Sequence, residues 1–291
     1  MKYTALLIGT SMVLLVLSIL VSAQSYNYEY VNTTARVNIT NAIPEILQVL
    51  IEDPVVLNAG GFKSVWCNAT IRDWNGFNDI DLVNATLYYF ENASVPDDND
   101  VHYTNTSCVE LSNDGQYIAN YTCTFSVAYH ANQGDWVCNV TVQDDGGLQS
   151  SLDNQTTFDA LLALNVTDLI DYGNLSVGDF SLEIPAIVTN FGNTDINVSV
   201  LGYGETEGDG VGLVCDLGTN ISVEYQRWSN VTALWEDRVN LSATLNDMGF
   251  TLDKPTTSTI PVNRTTYWQL FVPPNPFGIC EGTIRFTAMA P

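Results

Sequence analysis

Acidic and amide side chains gather in two turn-like stretches of the chain, and oxygen ligands of this kind are the ones that calcium prefers. The stretches follow strand-like runs and contain Asp73, Asn75, Asp79, Asp81, Asp144 and Asp145. The spacing differs from that of an EF-hand loop, which has glycine at its sixth position. Asp, Asn and Gly are also the ordinary residues of turns. Two interpretations therefore stay open at these residues, a calcium site and a pair of plain turns.

Catalytic motifs are not recognisable in the sequence. It contains no nucleophile elbow, glycine-rich phosphate loop or HExxH motif. Its two histidines, His102 and His130, each stand beside a tyrosine and are interpreted as surface residues. The carboxylate pair of a glycosidase has only a spatial signature, so 33 acidic residues leave a secreted hydrolase open. We predict that the protein is not an enzyme, and we assign it no catalytic residue and no organic cofactor.

The tripeptide Asn-x-Ser/Thr, the acceptor signal for N-linked glycans, is strongly over-represented. With 28 asparagines and 47 serines plus threonines in 291 residues, random order would give about four or five such sites. The chain has 16, at Asn32, Asn38, Asn68, Asn84, Asn92, Asn105, Asn120, Asn139, Asn154, Asn165, Asn174, Asn197, Asn220, Asn230, Asn240 and Asn263. We predict that many of these sites carry glycans.

Several of the sites lie inside strand-like runs, where side chains alternate between the two faces of a sheet. In residues 67–71, Asn68 and Thr70 share one face and Cys67, Ala69 and Ile71 the other. We predict that the Asn and Ser/Thr of each such site face solvent; the same holds at Asn84, Asn120, Asn139 and Asn197. The alternative is a polar outer face without sugar, although Asn is a poor strand former.

Short alternating runs separated by turn residues predict an all-β protein with two tandem immunoglobulin-like antiparallel β-sandwiches. We expect a signal peptide at 1–23, an extended arm at 24–44, the first sandwich at 45–158 and the second at 159–291. Residues 24–40 alternate like a strand and can complete the open sheet edge of a neighbour. Pairing of this arm within its own chain is the preferred interpretation.

The N-terminus is typical of a secretory signal. Lys2 precedes an apolar run over residues 5–21, and the small residues Val21 and Ala23 suit signal peptidase, so cleavage is expected after Ala23. The run is also just long enough to span a bilayer. An uncleaved anchor is therefore the alternative, and it is the one membrane contact that the sequence suggests.

Six cysteines in an exported chain predict disulfides rather than zinc, because no CxxC motif or Cys/His cluster is present. If each half closes on itself, three arrangements remain, and register does not separate them. The second and sixth strands of such a sandwich face each other. This order favours the pairs Cys67–Cys138 and Cys108–Cys123, with Cys215–Cys280 in the second half.

The stretch LEIPAIVTNFGNTDINVSVLGYG, residues 182–204, has strand-like runs on both sides of Asn190, Gly192 and Asn193. It resembles the CARDB-like and NEW3-like adhesion sandwiches of secreted proteins, in which Asn-x-Gly-Asn joins two strands. Residues 66–89, 134–147 and 267–291 look like PKD-like and other immunoglobulin-like repeats of archaeal surface proteins. The resemblance implies a secreted or cell-surface glycoprotein of archaeal type, and it supplies no catalytic residues.

Charge and aromatic content limit the partners. A formal net charge of −24 argues against nucleic acid, whose phosphates need Lys and Arg.

Five tryptophans can stack on sugars or fill the core: Trp74, Trp136, Trp228, Trp235 and Trp268. The segment YQRWSNVTALWED, residues 225–237, is the least strand-like part of the second half and the place to look for a binding loop.

These features predict a non-enzymatic extracellular or cell-surface glycoprotein with a structural or adhesive role, including that of a subunit in a surface filament or coat. The expected partners are N-linked glycans and other surface proteins or copies of the chain itself. The alternative is a carbohydrate-binding or solute-recognition module, which requires a concave tryptophan-lined face. A secreted hydrolase, with converging carboxylates, is the third class.

Overall fold

The structure, a computed structural model, describes residues 29–291 and is all-β. The predicted signal peptide and the first arm residues, 24–28, lie outside the described residues. The chain divides into two units between Thr40 and Asn41. Residues 29–40 form no strand, and each of them is exposed. The pairing of the arm within its own chain stays a prediction.

The first half of the compact unit contains two antiparallel sheets of four strands each, in the orders β1-β2-β6-β5 and β4-β3-β7-β8. Their strands are β1 (Glu45–Ile51), β2 (Phe62–Arg72), β3 (Ile80–Tyr89), β4 (His102–Asn105), β5 (Val109–Asn113), β6 (Ile118–Ala128), β7 (Gly134–Asp144) and β8 (Gln149–Phe158). Buried side chains from both sheets form one core, in which Trp136 stacks on Phe158 with 4.4 Å between ring centroids. These two sheets enclose a common core and form a β-sandwich, the predicted fold class.

The alternation predicted around the sequons is confirmed at four sites of this sandwich. Along β2, Cys67, Ala69 and Ile71 are buried, whereas Asn68 and Thr70 are partly exposed on the other face. The sites at Asn84 on β3, Asn120 on β6 and Asn139 on β7 follow the same pattern. Each of these sequons therefore occupies the outer face of a strand whose inner face lines the core.

The predicted outward position is wrong at Ser199, and one further sequon hydroxyl, Thr156, is buried although no orientation was predicted for it. Asn197 is partly exposed, but Ser199 in the same site is 4% exposed, and its Oγ donates to Met289 Sδ at 3.2 Å. The reason is that its strand runs centrally between two others and is buried on both faces. Thr156, in the site of Asn154, is also buried, because its Oγ1 donates to the Glu52 carbonyl at 2.7 Å.

The second half contains three antiparallel sheets, in the orders β15-β14-β17-β10-β9, β16-β11-β19 and β13-β12-β18. The strands are β9 (Leu164–Val166), β10 (Ile184–Asn190), β11 (Ile196–Tyr203), β12 (Val211–Gly218), β13 (Ile221–Ser222), β14 (Gln226–Ser229), β15 (Val239–Asn240), β16 (Asn246–Leu252), β17 (Asn263–Leu270), β18 (Pro276–Glu281) and β19 (Thr283–Met289). Trp228 and Trp268 lie in the core between the first two sheets. The third, smaller sheet is an addition to the predicted sandwich.

Three disulfides join the pairs that the sequence favoured. Cys67 on β2 bonds to Cys138 on β7, so this bridge crosses the core between the two sheets of the first sandwich. The other two are Cys108–Cys123, at the edge of the first sandwich, and Cys215–Cys280, between neighbouring strands β12 and β18. The described residues contain no free cysteine.

The Asn-x-Gly-Asn sequence between β10 and β11 forms a buried turn that holds the start of the second half. The side-chain Nδ2 of Asn190 donates to the backbone carbonyls of Thr194 and Asp253, at 2.8 and 3.0 Å. Asn193 accepts from the Leu161 N–H at 2.7 Å and donates to the Asp159 carbonyl at 3.0 Å. Both amides therefore satisfy backbone groups that would otherwise be buried without partners.

The same turn contacts the first sandwich. The Phe191 carbonyl accepts from the Gly60 N–H at 3.0 Å. The Phe191 ring lies 5.8 Å from the Tyr129 ring, centroid to centroid. Beside this contact, Asp100 Oδ1 accepts from Lys254 Nζ at 2.6 Å and pairs with His130 Nδ1 at 3.0 Å. Aromatic packing and a partly buried charge cluster thus join the two sandwiches within the compact unit.

Candidate functional site

Three of the six acidic-turn residues meet at one end of the first sandwich. Asp73 follows β2, Asp79 precedes β3, and Asp144 ends β7. One carboxylate oxygen from each lies within 4.8 Å of the other two. Asp73 and Asp144 are buried and Asp79 is partly buried. We call these three residues the acidic triad.

The other three candidates do not belong to the triad. Asn75 directs its Oδ1 to the N–H of Ala42, at 2.8 Å. Asp81 and Asp145 have exposed side chains, and Asp145 contributes its backbone N–H to the Asp79 carbonyl at 2.8 Å. The set of six suggested by the sequence is therefore reduced to three, because the remaining side chains either serve the turn or face solvent.

Hydrogen bonds fix the triad but leave part of it unsatisfied. Asp73 Oδ1 accepts from the Asn75 N–H at 2.7 Å, while Asp144 accepts from the Leu148 N–H at 2.8 Å and from Asn41 Nδ2 at 2.9 Å. In the described structure, Asp73 Oδ2 and Asp79 Oδ2 are buried and have no hydrogen-bond partner. Buried carboxylate oxygens without partners are costly, so this arrangement needs a compensating positive charge or proton.

The electrostatics of the triad point the same way. Burial, and then the charges of Asp73, Asp144 and Asp145, raise the pKa of the Asp79 carboxyl. Among the described residues, no Lys, Arg or His forms an ion pair with a triad carboxylate. Three acidic groups are thus held together without a basic partner, which is the arrangement that a bound cation stabilises.

A second candidate site is an aromatic pocket in the second half, with a volume of about 250 Å³. The Phe180 ring lies 4.9 Å from Trp235 and 4.8 Å from Phe271, centroid to centroid. Arg227 places its guanidinium carbon 4.4 Å from the centroid of the Trp235 ring. The remaining lining residues are Glu224, Tyr225 and Asn240. Aromatic faces with a few charged groups at the rim are typical of small-ligand sites.

The tryptophans divide between core and surface. Trp136, Trp228 and Trp268 are buried, so a sugar-stacking role is wrong for these three. They occupy the inward positions of strands, and this register could have excluded a sugar-stacking role for them in the sequence. Trp74 is 59% exposed and lies under the guanidinium of Arg72, whose Cζ is 4.6 Å from the ring centroid. Trp235, from the segment singled out in the sequence, lines the aromatic pocket.

Both histidines are buried, so their interpretation as surface residues is wrong. His102 Nδ1 pairs with Asp97 Oδ1 at 2.9 Å, and His130 Nδ1 with Asp100 Oδ1 at 3.0 Å. His130 lies at the junction of the two sandwiches. Each ring is oriented by a carboxylate at its Nδ1, whereas His130 Nε2 is buried without a hydrogen-bond partner in the described residues.

The sixteen sequon asparagines are all partly or fully exposed. Asn230 Nδ2, the atom that would carry a glycan, donates to the Met248 carbonyl. Asn230 Oδ1 is buried without a partner in the described residues, as are the Oδ1 atoms of Asn68 and Asn139. Asn240 lines the aromatic pocket. No helix within residues 29–291 is long and apolar enough to cross a membrane.

Comparisons with known proteins identify no family. No family model and no curated protein matches the chain, so the CARDB-like, NEW3-like and PKD-like resemblances stay expectations. Among solved structures, a chaperone–tip adhesin complex of CFA/I fimbriae is similar at 9% identity and a TM-score of 0.29, over 82% of this chain and 78% of that one.

Two further solved structures are similar at the same low level. A carbohydrate-binding module of the β-sandwich superfamily matches at 14% identity, a TM-score of 0.25, and 87% and 99% coverage of this chain and of that one. A DUF4785 family protein from Legionella pneumophila matches at 10% identity and a TM-score of 0.28, over 86% of this chain. The chain spans 48% of that protein's length. Likenesses at these scores say nothing about activity.

Proposed function

We propose that this chain is a non-enzymatic glycoprotein of the cell surface or extracellular medium, with a structural or adhesive role. The observation that carries the proposal is the position of the sequons. They occupy outward strand positions directly opposite a buried apolar row, as at Asn68, Asn84 and Asn139. Glycans there would cover the outer faces of the sheets without disturbing the core. Three disulfides support an oxidising destination.

The specific form that we propose is a subunit of a surface filament or coat, assembled through the arm. Residues 31–40 alternate between apolar and polar except at Thr33, and Val31, Val37 and Ile39 on the apolar side are 91%, 77% and 83% exposed. The sequons Asn32 and Asn38 are on the polar side. Added as a strand to the open sheet edge of a second copy, the arm would bury its apolar side and leave both glycans outside.

The oligomeric state of the secreted chain tests this assembly. The full chain is expressed in a host that attaches N-linked glycans, and its mass is measured by light scattering under non-reducing conditions. We expect multimers for the native chain and monomers for the variant Val31→Ser, Val37→Ser, Ile39→Ser. The matched control is Thr34→Ser, Arg36→Ser, Thr40→Ser, which changes the opposite side and keeps both sequons. A monomeric native chain, or multimers that survive the apolar-side substitutions, would rule out assembly by the arm.

The aromatic pocket favours the alternative, a carbohydrate-binding or solute-recognition module. Its rings would stack on a sugar, and Arg227 and Glu224 would bond to hydroxyl groups. A glycan on Asn240 would lie at the same pocket. This class predicts a monomer that binds oligosaccharides on an array, with binding weakened about tenfold or more by Trp235→Ala. Trp74→Ala, which removes an exposed ring elsewhere, is the control.

A further inference from the structure

We propose that the acidic triad, Asp73, Asp79 and Asp144, is a calcium-binding site. It lies where the β2–β3 turn and the β7–β8 turn meet at one end of the first sandwich. The proposal concerns a different part of the molecule from the arm and the aromatic pocket, and it does not depend on glycosylation.

Two carboxylate oxygens of the acidic triad are buried without a hydrogen-bond partner among the described residues. Asp73 is fully buried, and its Oδ2 has no hydrogen-bond partner among residues 29–291. The Oδ2 atom of Asp79 is also buried and also has no partner there. A buried carboxylate oxygen that has lost its contacts with water and has gained no partner destabilises the fold. The turn itself is closed by the Gly76 N–H, which donates to the Asp73 carbonyl at 3.2 Å, and by the Asn75 N–H, which donates to Asp73 Oδ1. Neither hydrogen bond uses the buried Asp73 Oδ2.

The distances between the carboxylate oxygens of the acidic triad fit a calcium ion. Calcium–oxygen distances are about 2.3 to 2.6 Å, so two ligands of one calcium ion lie at most about 5 Å apart. The three carboxylate oxygens lie within 4.8 Å of one another and meet this limit. Calcium takes six to eight oxygen ligands, and carboxylates and water are the usual ones. The triad supplies oxygen only, which suits a hard cation and excludes the sulfur and imidazole ligands of a zinc site.

The contacts around the triad show what the ion would stabilise. Asp144 Oδ2 accepts from Asn41 Nδ2, and the turn residue Asn75 accepts from the Ala42 N–H. Asp73 and Asp144 also come from different sheets of the sandwich. A calcium ion on the triad would therefore tie both sheets and the first residues of the compact unit at one point, as a cross-link that depends on the calcium concentration.

Calorimetric titration and thermal unfolding of the full secreted chain test the proposal. After removal of metal with EDTA, calcium chloride is added to about 10 mM, which is well above the dissociation constants of about 0.1 to 1 mM found for extracellular modules. We expect one bound calcium ion and a rise in melting temperature of about 5 °C. Magnesium chloride at the same ionic strength measures the effect of screening the negative charge of the chain.

Asp79→Asn separates a binding site from general charge effects. Asp79 makes no side-chain hydrogen bond in the described structure, and the substitution removes one of three crowded charges. The variant should melt no lower than the native chain in EDTA, yet show no calcium-dependent rise. Asp81→Asn, at an exposed position outside the triad, should keep the full rise. No rise in the native chain, an equal rise with magnesium, or a rise retained by Asp79→Asn would each overturn the proposal.

Discussion

Replacing Cys67 and Cys138 together by alanine should lower the free energy of unfolding by about 4 kcal/mol. The bond joins residues 71 apart in the sequence, and a cross-link over a loop of that length restricts the unfolded chain by about this amount in the chain-entropy model. Both sulfurs lie in the dry core between the two sheets, so their removal also leaves unfilled space. This is a large part of the 5 to 15 kcal/mol that stabilises a typical domain.

Replacing Cys108 and Cys123 by alanine shows how the loss of unfolding free energy depends on the length of the loop. That loop spans 15 residues, so its loss should cost about 3 kcal/mol, some 1.4 kcal/mol less than the longer loop. Urea unfolding of the native chain and both double variants, without reductant, measures the two losses. Two results would contradict the assignment of Cys67–Cys138 as the main cross-link of the first sandwich. One is an equal loss of unfolding free energy in both double variants, and the other is a Cys67/Cys138 variant as stable as the native chain.

Gly192→Ala should destabilise the chain by about 3 kcal/mol, because the substitution overpacks the buried turn between β10 and β11. A Cβ at this position would lie 1.9 Å from the Leu161 carbonyl oxygen, a backbone atom that cannot rotate away. The turn would have to move, and the hydrogen bonds of Asn193 to Leu161 and Asp159 would lengthen. Phe191, which contacts Gly60 in the first sandwich, would shift with it.

Gly61→Ala is the matched control for this prediction. A Cβ there would meet nothing nearer than the Ala59 carbonyl oxygen at 3.9 Å, an ordinary contact, although the residue lies in the same region. Guanidinium unfolding of both variants measures the difference, and limited proteolysis shows whether residues 159–163 become accessible in Gly192→Ala. If Gly192→Ala unfolds with the same midpoint as Gly61→Ala, the turn does not have the tight packing that we describe.

The fold could be predicted from the sequence because side chains alternate along strands. Asn68 and Thr70 are outward and Cys67 and Ala69 are buried, as the period of two requires. The cysteine pairs were favoured by the strand order of such a sandwich, because register alone left three arrangements open. The outward position predicted for Ser199 was wrong, since alternation identifies the two faces of a strand but does not show that both are covered. The small third sheet, with β12 and β18, was missed for a related reason: its exposed strands lack a buried row.

The candidate sites could be predicted only in outline. Six acidic and amide residues were suggested, and the structure brings Asp73, Asp79 and Asp144 together. Which carboxylates converge depends on the ends of three strands from two sheets, and this is tertiary information that no local spacing contains. The aromatic pocket combines Trp235, from the expected loop, with Phe180 and Phe271 from distant segments. Trp235 was among the candidates, whereas nothing in the sequence marked the two phenylalanines.

Site-resolved glycan occupancy, measured by mass spectrometry on the secreted chain before and after deglycosylation, tests the central claim most directly. We expect glycans at the outward strand sites Asn68, Asn84 and Asn139, and none at Asn230, whose amide is engaged within the fold. The same spectra should show a chain that begins at Gln24 and has no free thiol. An unmodified chain with reduced cysteines, or glycans confined to sites outside the strands, would contradict the account.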